Sequence, residues 1–370
     1  MLNVLVTGAA GFMGRNLMEA LHRQEGIVLS AWDLDSTPSE VEHSLRHADL
    51  IFHLAGVNRP RDAAEFAAGN AGFTASLCDR LRGLGRRPKI VFTSSIQACL
   101  ENPYGESKRQ AESRLREYAT ASAAEVAIYR LPNVFGKWCR PNYNSVVATF
   151  CHHIARSLPI QITDPDRLLE LVYIDDLVAC FLGELTAGAG GASYQQVPVS
   201  HQITLGQLAD QLRSFQISRT SLVMPDLAEP LARKLYATYL SYLPEDGFSY
   251  PLLQRRDERG VLAEFIKSPH FGQIFVSRTR PGITRGHHYH HTKVEKFLVL
   301  DGEAVIRFRH IESEQILEYR VTGRDLIVVD VPPGYTHSIE NVGPREMTVL
   351  FWASEIFDSQ RADTHYKKVA

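Results

Sequence analysis

Residues 6–14 read VTGAAGFMG, and this stretch decides the fold of the first half of the chain. It follows an apolar run at 2–7 that predicts a strand, and it opens a run that predicts a helix. Glycines at Gly8, Gly11 and Gly14 would let the backbone approach a pyrophosphate, which the free N–H groups of the first helical turn attract. Three glycines also suit a plain strand-to-helix turn, but their place in the first βα unit favours dinucleotide binding.

Around this turn, short β-rich runs alternate with longer helical runs as far as about residue 190. The predicted strands are 2–7, 27–32, 50–54, 89–92 and 126–131. Strands that alternate with helices predict parallel βαβ units, and therefore a doubly wound, Rossmann-type α/β domain. The capping pattern Thr37-Pro38-Ser39-Glu40 predicts a helix start.

The chain changes character near residue 245. Residues 204–240 predict amphipathic helix, and residues 240–251, with Pro, Gly and Asp, predict a linker. Beyond it, short apolar runs separated by PG, DG, TG and PPG turns predict an all-β sandwich or barrel. We therefore expect a dinucleotide-binding domain over 1–243, a linker over 244–252 and an all-β domain over 253–370.

The composition excludes several classes of partner. Lys plus Arg is 40 and Asp plus Glu is 42, so the net charge of −2 gives no broad positive field for nucleic acid or an anionic membrane. No apolar stretch reaches the length of a membrane span, and we expect no signal peptide. The five cysteines are odd in number and form no C-x-x-C pair, which predicts reduced thiols in a cytoplasmic protein.

The choice between NADH and NADPH depends on two residues of opposite charge. Asp33 closes the second predicted strand, where an acid can accept a hydrogen bond from a ribose 2′-hydroxyl and would repel a 2′-phosphate. Arg15 follows the third glycine and would favour the phosphate. An aspartate at this place also suits an ordinary turn, so the sequence leaves the preference open.

Residues 92–108, FTSSIQACLENPYGESK, carry the second chemical pattern. Tyr104 and Lys108 are four apart, so on a helix they lie one turn apart on one face. A lysine ammonium beside a phenol should lower the pKa of that phenol, which could then give a proton to a carbonyl oxygen while nicotinamide gives hydride. Ser94 and Ser95 end the preceding strand, where one hydroxyl could hold the substrate oxygen.

Residues 281–302 and 331–341 carry the third pattern, PGITRGHHYHHTKVEKFLVLDG and VPPGYTHSIEN. His288 and His290 are two apart and point to the same side of a strand. With Glu295 and His337 they offer three imidazoles and one carboxylate, a set that suits a divalent metal such as zinc, iron, manganese or nickel. His287 and His291 should face the other side. The alternative is a solvated histidine loop without a specific metal.

The first half of the chain, with the glycine turn and the Tyr104–Lys108 pattern, resembles the extended short-chain dehydrogenases/reductases. Besides VTGAAGFMG and YGESK, the chain contains HLAGVNRP (53–60), TSS (93–95), RLPNVFG (130–136) and VYIDDLV (172–178). The resemblance implies a nucleotide-diphospho-sugar substrate that Asn133 and Arg140 contact. It implies a cofactor site that is formed by Gly8, Gly11, Phe12, Met13, Gly14, Arg15, Asp33, Leu54, Ala55, Gly56 and Asn70. Sugar dehydratases have an Asp-Glu pair where this chain has Ile96 and Gln97, so we expect reduction or epimerisation instead of dehydration.

The second half resembles the cupins, which are double-stranded β-helices. Gly282, His288, His290, Glu295 and Gly302 fit the first cupin motif. Pro332, Gly334, His337 and Asn341 fit the second motif.

A reductase fused to a cupin resembles enzymes of bacterial capsule biosynthesis. The resemblance implies C3-epimerisation of a UDP-2-acetamido-2,6-dideoxy-4-ketohexose by the cupin. The reductase would then reduce C4 with NADPH to UDP-2-acetamido-2,6-dideoxy-L-talose, on the route to UDP-N-acetyl-L-fucosamine. It also implies zinc and a homodimer. Two alternatives stay open: the cupin only dimerises the chain, or the chain senses nicotinamide without catalysis.

Overall fold

The run at 2–7 forms the first strand of a parallel sheet in the computed structural model, which describes residues 1–62, 64–188 and 190–370. Contacts divide the chain into two compact units. The first unit is 1–213 with 233–244, and the second is 214–232 with 245–370. Residues 214–232 thus group with the second unit although they precede the predicted linker.

The α-helices are α1 (Phe12–Leu21), α2 (Pro38–His47), α3 (Ala64–Phe66), α4 (Phe73–Gly83), α5 (Pro103–Ser122), α6 (Val146–Ala155), α7 (Ile174–Gly183), α8 (Leu205–Ser221) and α9 (Pro230–Leu240).

The first unit contains a six-stranded parallel sheet with the strand order β2-β1-β3-β4-β5-β8. Its strands are β1 (Leu2–Thr7), β2 (Ile27–Trp32), β3 (Leu50–His53), β4 (Lys89–Ser95), β5 (Val126–Leu131) and β8 (Ala192–Gln195). A second sheet holds β6 (Asn133–Phe135), β7 (Leu168–Tyr173) and β9 (His201–Thr204). The predicted Rossmann-type fold is confirmed, and the strand order reverses at β1, where such sheets bind ligands.

Two apolar cores cover the two faces of the parallel sheet. One face packs Leu5, Ile51 and Phe92 against α2, α4 and α5, and the other packs Val4, Val6 and Phe52 against α1 and α7. Because both faces of the sheet are covered, all four residues of β3 are buried, the apolar Leu50, Ile51 and Phe52 and the polar His53 alike. The capping box at Thr37 and Glu40 is also confirmed, with Pro38 in the first turn of α2.

The second unit contains two antiparallel sheets, ordered β10-β11-β12-β19-β14-β17 and β16-β15-β18-β13-β20. The strands are β10 (Gln254–Asp257), β11 (Gly260–Ser268), β12 (Gly272–Thr279), β13 (Thr284–Tyr289), β14 (Glu295–Asp301), β15 (Glu303–His310), β16 (Ile316–Thr322), β17 (Val328–Val331), β18 (Tyr335–Asn341), β19 (Met347–Ala353) and β20 (His365–Tyr366). Phe297 and Val349 from one sheet pack with Ile306 and Ile339 from the other, so the core lies between the sheets. This is the predicted cupin architecture.

Candidate functional site

The glycine turn between β1 and α1 is closed so tightly that side chains would not fit. A Cβ on Gly14 would lie 2.2 Å from the carbonyl oxygen of Gly8. Gly8 has a φ of +70°, and its Cβ would lie 2.9 Å from the backbone of Ala55. Gly11 caps α1 without a side-chain hydrogen bond, so no capping side chain occupies the free N–H groups of the first turn, which suit an anion.

A cavity of about 1370 Å³ opens at the carboxyl ends of the parallel strands. This exceeds the volume of an ordinary small-molecule pocket and leaves room for a dinucleotide together with a second ligand. Its wall includes ten of the predicted cofactor residues, which are Gly8, Gly11, Phe12, Met13, Gly14, Arg15, Asp33, Leu54, Ala55 and Gly56. The predicted substrate residues Asn133 and Arg140 line the same cavity.

Asn70, the eleventh predicted cofactor residue, lies behind the cavity wall. Its amide donates to the carbonyl oxygen of Val57 at 3.0 Å and to the hydroxyl of Ser107 at 2.9 Å. Its carbonyl oxygen accepts from the N–H of Val57 at 2.9 Å. Asn70 therefore joins the loop after β3 to α5 and supports the wall from outside.

Asp33 and Arg15 occupy the cofactor side of the cavity. One carboxylate oxygen of Asp33 accepts a hydrogen bond from the N–H of Ala10, inside the glycine turn, at 3.0 Å. The guanidinium of Arg15 lies over the ring of Trp138, 5.1 Å from its centroid. Both predicted charges thus border the site, and the acid also holds the glycine turn in place.

Tyr104 and Ser95 meet inside the cavity. Asn102 caps α5 by accepting from the N–H of Gly105 at 2.8 Å, and a Cβ on Gly105 would lie 2.1 Å from the carbonyl oxygen of Gln97. This close approach brings the first turn of α5 against the short turn Ile96–Cys99 that follows β4. Burial raises the pKa of the Tyr104 phenol, and a hydrogen bond with Ser95 lowers it in part.

Lys108 is buried one turn along α5, and its ammonium donates to the carbonyl oxygen of Thr93 at 3.0 Å. Burial lowers the pKa of Lys108 to about 8, although the Glu112 carboxylate partly opposes this. The ammonium lies 5.9 Å from the centroid of the Tyr104 ring. The expected lowering of the Tyr104 pKa by Lys108 was wrong, because burial of the phenol dominates.

Ser94 and Ser95 differ in their partners, although both line the cavity. The hydroxyl of Ser94 donates to the buried carboxylate of Glu112 at 2.5 Å. Glu112 also accepts from Arg130 at 2.6 and 2.9 Å and from the hydroxyl of Tyr194 at 2.9 Å. Sequence reasoning missed Glu112, which the helical period could have found, since it lies four residues after Lys108 on the same face.

The other end of the cavity is rich in cationic groups. Arg140 lies over the ring of Tyr143, 5.3 Å from the centroid, and Arg156 donates to the carbonyl oxygen of Tyr242 at 2.8 Å. Both arginines and His152 line the cavity, and Arg156 and His152 were not predicted. They lie four apart on or just after α6, so a helical reading of 146–156 could have paired them. Such a set suits a diphosphate.

The second unit brings all four predicted metal ligands together. One ligand atom from each of His288, His290, Glu295 and His337 lies within 4.8 Å of the others. The ring centroids of His288 and His337 are 4.5 Å apart, and those of His288 and His290 are 5.0 Å apart. His287 has a φ of +62° and turns away, as expected, and its Nδ1 accepts from the N–H of Val369 at 3.3 Å.

The chemistry of these atoms fits a cation. Nδ1 of His290 lies 2.5 Å from the carbonyl oxygen of Asp363, and Nδ1 of His337 lies 3.3 Å from that of Tyr335. A carbonyl only accepts, so Nδ1 carries the hydrogen and the neutral ring has its lone pair on Nε2. Among the described residues, both Nε2 atoms are buried and lack a hydrogen-bond partner. They lie 3.5 and 3.4 Å from an oxygen of Glu295.

Titration of the cluster also favours a metal-binding form. Burial raises the pKa of the Glu295 carboxyl, and the imidazoles of His290 and His337 lower it below its usual value when they face it with a proton, so Glu295 stays a carboxylate when these rings are protonated. Burial, with the neighbouring His337, lowers the pKa of His288 to about 3. A carboxylate and a neutral imidazole are the forms that bind divalent metals.

Comparison with known families matches two separate segments of the chain. Residues 4–199 match the NAD dependent epimerase/dehydratase family, and residues 255–365 match the polysaccharide biosynthesis C-terminal domain. The chain is 46% identical, over 98% of both chains, to a UDP-2-acetamido-2,6-beta-L-arabino-hexul-4-ose reductase of Pseudomonas aeruginosa. No helix in the described ranges is long and apolar enough to cross a membrane.

Comparison with solved structures finds proteins that share the fold over the full length of the chain. The capsular polysaccharide assembling protein CapF of Staphylococcus aureus superimposes with a TM-score of 0.93 and 46% identity over 100% of both chains. The predicted resemblance to a reductase–cupin fusion of capsule biosynthesis, of the CapF type, is thereby confirmed. A UDP-glucose 4-epimerase of Vibrio cholerae is 24% identical over 48% of this chain and 64% of its own.

Proposed function

The chain belongs to the NAD-dependent epimerase/dehydratase family, and we propose that it is a bifunctional enzyme acting on a UDP-linked 4-keto sugar. The cupin domain epimerises C3 of a UDP-2-acetamido-2,6-dideoxy-4-ketohexose. The reductase domain then reduces the C4 ketone to give UDP-2-acetamido-2,6-dideoxy-L-talose, on the route to UDP-N-acetyl-L-fucosamine for capsule or O-antigen polysaccharide. The names of the Pseudomonas reductase and of CapF support this proposal.

The observation that carries the reductase proposal is that Tyr104, Ser95 and Lys108 line the same cavity as the glycine turn. Because burial raises the pKa of Tyr104, the phenol keeps its proton until a substrate oxygen accepts it. Ser95 orients that oxygen, and Lys108 provides positive charge beside it. A nicotinamide cofactor, when bound, supplies the hydride. NADPH is expected from the resemblance, and Asp33 favours NADH, so we propose use of both.

The cationic end of the cavity supports a nucleotide-diphosphate substrate. Arg140 and Arg156 would bind the two phosphates, and Asn133, which lines the same cavity, would contact the sugar nucleotide. These charges are local, since the whole chain has a net charge of −2. We infer that the diphosphate fixes the sugar while Tyr104 faces its C4 oxygen.

We propose one zinc ion as the resident metal of the cupin, held by His288, His290, Glu295 and His337. When bound, the metal supplies positive charge that stabilises the negative charge developing as the C3 proton leaves. The residues around the ligands hold them in place and exclude water. Phe297, for example, packs against the ring of His337, with centroids 5.7 Å apart. A C4 ketone acidifies the C3 proton, so the two reactions share one substrate group.

A second candidate is that the cupin only dimerises the chain. Edge strand β16 exposes Ile316, Leu317 and Tyr319, and Leu326 and Val328 are also exposed. Apolar side chains on edge strands favour association, so we propose a homodimer in either case. Light scattering tests the dimer. Loss of C3 exchange on chelation, with reduction intact, would argue against a purely structural cupin.

The domain roles follow the limits set from the sequence, with reduction assigned to 1–243, a linker to 244–252 and metal binding to 253–370. All five cysteines, each in the described ranges, are free. Free thiols and a nicotinamide cofactor suit the cytoplasm, which we propose as the location.

One experiment tests both activities. The protein is incubated with the UDP-4-keto sugar and NADPH or NADH in deuterium oxide. Oxidation of the cofactor is followed by absorbance, and deuterium at C3 by mass spectrometry. We expect cofactor oxidation that depends on the sugar and deuterium in the product. Absence of sugar-dependent oxidation with both cofactors would contradict the reductase.

A further inference from the structure

We propose that residues 363–369, here called the strap, position the metal-ligating histidines, with Asp363 as the main positioning residue. This inference rests on the proposed metal site. The strap lies along β13 and the turn that follows it, which together carry His288 and His290. It contains no ligand of the cluster itself, so it would act through the groups that it holds.

The strap closes the edge of the sheet that carries two ligands. Strand β20 pairs with β13, placing Tyr366 opposite His288 and His365 opposite Tyr289. The N–H of Lys367 donates to the carbonyl oxygen of His287 at 2.9 Å. Without the strap, β13 would be the edge strand of its sheet, with an unpaired backbone. We infer that pairing holds the His288 backbone in register.

The carboxylate of Asp363 organises the turn between two ligands. It accepts from the N–H groups of His291 at 2.9 Å, Thr292 at 2.8 Å and Lys293 at 2.9 Å. The hydroxyl of Thr292 donates to the same carboxylate at 3.0 Å. These charge-assisted bonds fix residues 291–293, which connect His290 to Glu295. The separation of those two ligands therefore depends on Asp363.

The backbone of Asp363 sets the tautomer of one ligand. Its carbonyl oxygen lies 2.5 Å from Nδ1 of His290, which must donate. Nε2 of His290 is then left with its lone pair facing the cluster. Partners of this kind orient metal-ligating imidazoles, and their loss commonly weakens metal binding by about 10–100-fold.

The far end of the strap reaches the strand of the last ligand. Thr336, which precedes His337, donates through its hydroxyl to the carbonyl oxygen of Lys367. Arg309 donates to the carbonyl oxygens of Lys368 at 2.6 Å and Val369 at 2.8 Å. The strap thus joins β13 to β15 and β18. We infer that it keeps β13, which carries His288, at a constant distance from β18, which carries His337.

The test measures metal affinity in the full-length chain. Metal is removed and Co²⁺ or Zn²⁺ is titrated against a chromophoric chelator, for the wild type, Asp363→Asn, Asp363→Ala and the control Asp358→Asn. Asp358 lies shortly before the strap and bonds only Gln360 and Arg361 among its described hydrogen bonds. We expect the Asp363 variants to bind about 10–100-fold more weakly and to change the visible Co²⁺ spectrum, because residues 291–293 lose the carboxylate that fixes the turn between His290 and Glu295. Asp358→Asn should match the wild type.

The possible outcomes distinguish failure of the proposal about the strap from failure of the proposal about the metal site. A wild type that binds no stoichiometric metal overturns both proposals. A wild type that binds metal, together with an Asp363→Ala variant of equal affinity and unchanged Co²⁺ spectrum, overturns the strap alone. If Asp363→Ala fails to fold, Thr292→Val removes one contact to the same carboxylate. It should also weaken binding, and unchanged affinity there would equally overturn the strap.

Discussion

At the residue scale, Tyr104, Lys108 and Glu112 share one face of α5 and have different environments. Tyr104 lines the cavity, and its phenol is protonated at neutral pH because burial raises its pKa. Lys108 and Glu112 are buried behind it with opposite charges. The buried carboxylate is compensated by Arg130 and by two hydroxyl groups, so it stays charged at low cost. We predict that substitutions of these residues have different effects on the kinetics of reduction.

Tyr104→Phe should abolish ketone reduction while cofactor still binds, because only the proton donor is lost. The expected fall in kcat is on the order of 10²–10⁴-fold, the usual effect of a positioned acid. Cofactor binding is measured by fluorescence titration and reduction by nicotinamide absorbance. Near-normal turnover would contradict the assignment of Tyr104 as the proton donor.

Ser95→Ala and Ser94→Ala form a matched pair. Ser95 lowers the pKa of the Tyr104 phenol, whereas the hydroxyl of Ser94 donates to Glu112. We expect Ser95→Ala to lower kcat more than Ser94→Ala, and Ser94→Ala to lower the thermal midpoint more, because it leaves a buried carboxylate with one donor fewer. Equal effects on kcat would mean that the two hydroxyls are not distinguished by their partners.

The charge of Lys108 should set the basic limb of the pH profile. Its pKa is lowered to about 8, so the fraction of ammonium falls as pH rises through that value, and reduction should fall with it. His53 stays neutral, because burial lowers its pKa to about 3, so Glu112 is the charge that favours the ammonium. Glu112→Gln should therefore move the basic limb of kcat to lower pH. A limb that does not move would show that Lys108 acts independently of Glu112.

At the element scale, a hydrogen bond connects the turn between β1 and α1 to the residue that follows β2. The bond from the N–H of Ala10 to Asp33 joins them at 3.0 Å. The turn itself depends on local backbone geometry at Gly8 and Gly14, where a Cβ would meet backbone atoms. We therefore expect cofactor preference to depend on Asp33, the charged side chain from a second element that reaches this turn.

Asp33→Arg should shift the preference toward NADPH, because it replaces a carboxylate near the 2′-position with a cation. The measurement is the ratio of kcat/KM for NADPH to that for NADH. Asp35→Arg is the control, since Asp35 is exposed and two residues away. An unchanged ratio in Asp33→Arg would mean that Asp33 does not face the ribose.

At the scale of the whole molecule, the two candidate sites belong to separate compact units, each with its own core. The cavity is lined by residues of the first unit, and the metal cluster by residues of the second. Loss of one site should therefore leave the other folded.

His337→Ala should weaken metal binding and slow the entry of solvent deuterium at C3, while reduction of the C4 ketone largely persists. The reason is that it removes a ligand supplied by β18, a strand separate from the one that carries His288. Elemental analysis gives the metal content, and mass spectrometry gives the exchange. Metal-free protein that exchanges the C3 proton as fast as the holo form would contradict the role of the metal.

The sequence by itself determined the features that depend on local backbone period. The glycine turn, the Tyr104–Lys108 spacing on a helix and the His288–His290 spacing on a strand each follow from residues close in the chain. The order of strands and helices likewise predicted a Rossmann-type domain followed by an all-β domain, and the resemblance of the histidine motifs to those of cupins named the second fold. In all of these cases, the geometry within a few residues fixes which side chains share a face.

Only the tertiary structure decided which distant groups meet. The motifs had grouped His337 with His288, but the register that places them opposite each other includes a bulge between Gly286 and His288, which no local pattern sets. The choice of Ser95 over Ser94 for Tyr104, the partners of Glu112 and the hold of Asp363 on residues 291–293 also join separate elements. Such contacts depend on how elements pack across long loops, and packing is determined by the whole core instead of by the spacing of neighbouring residues.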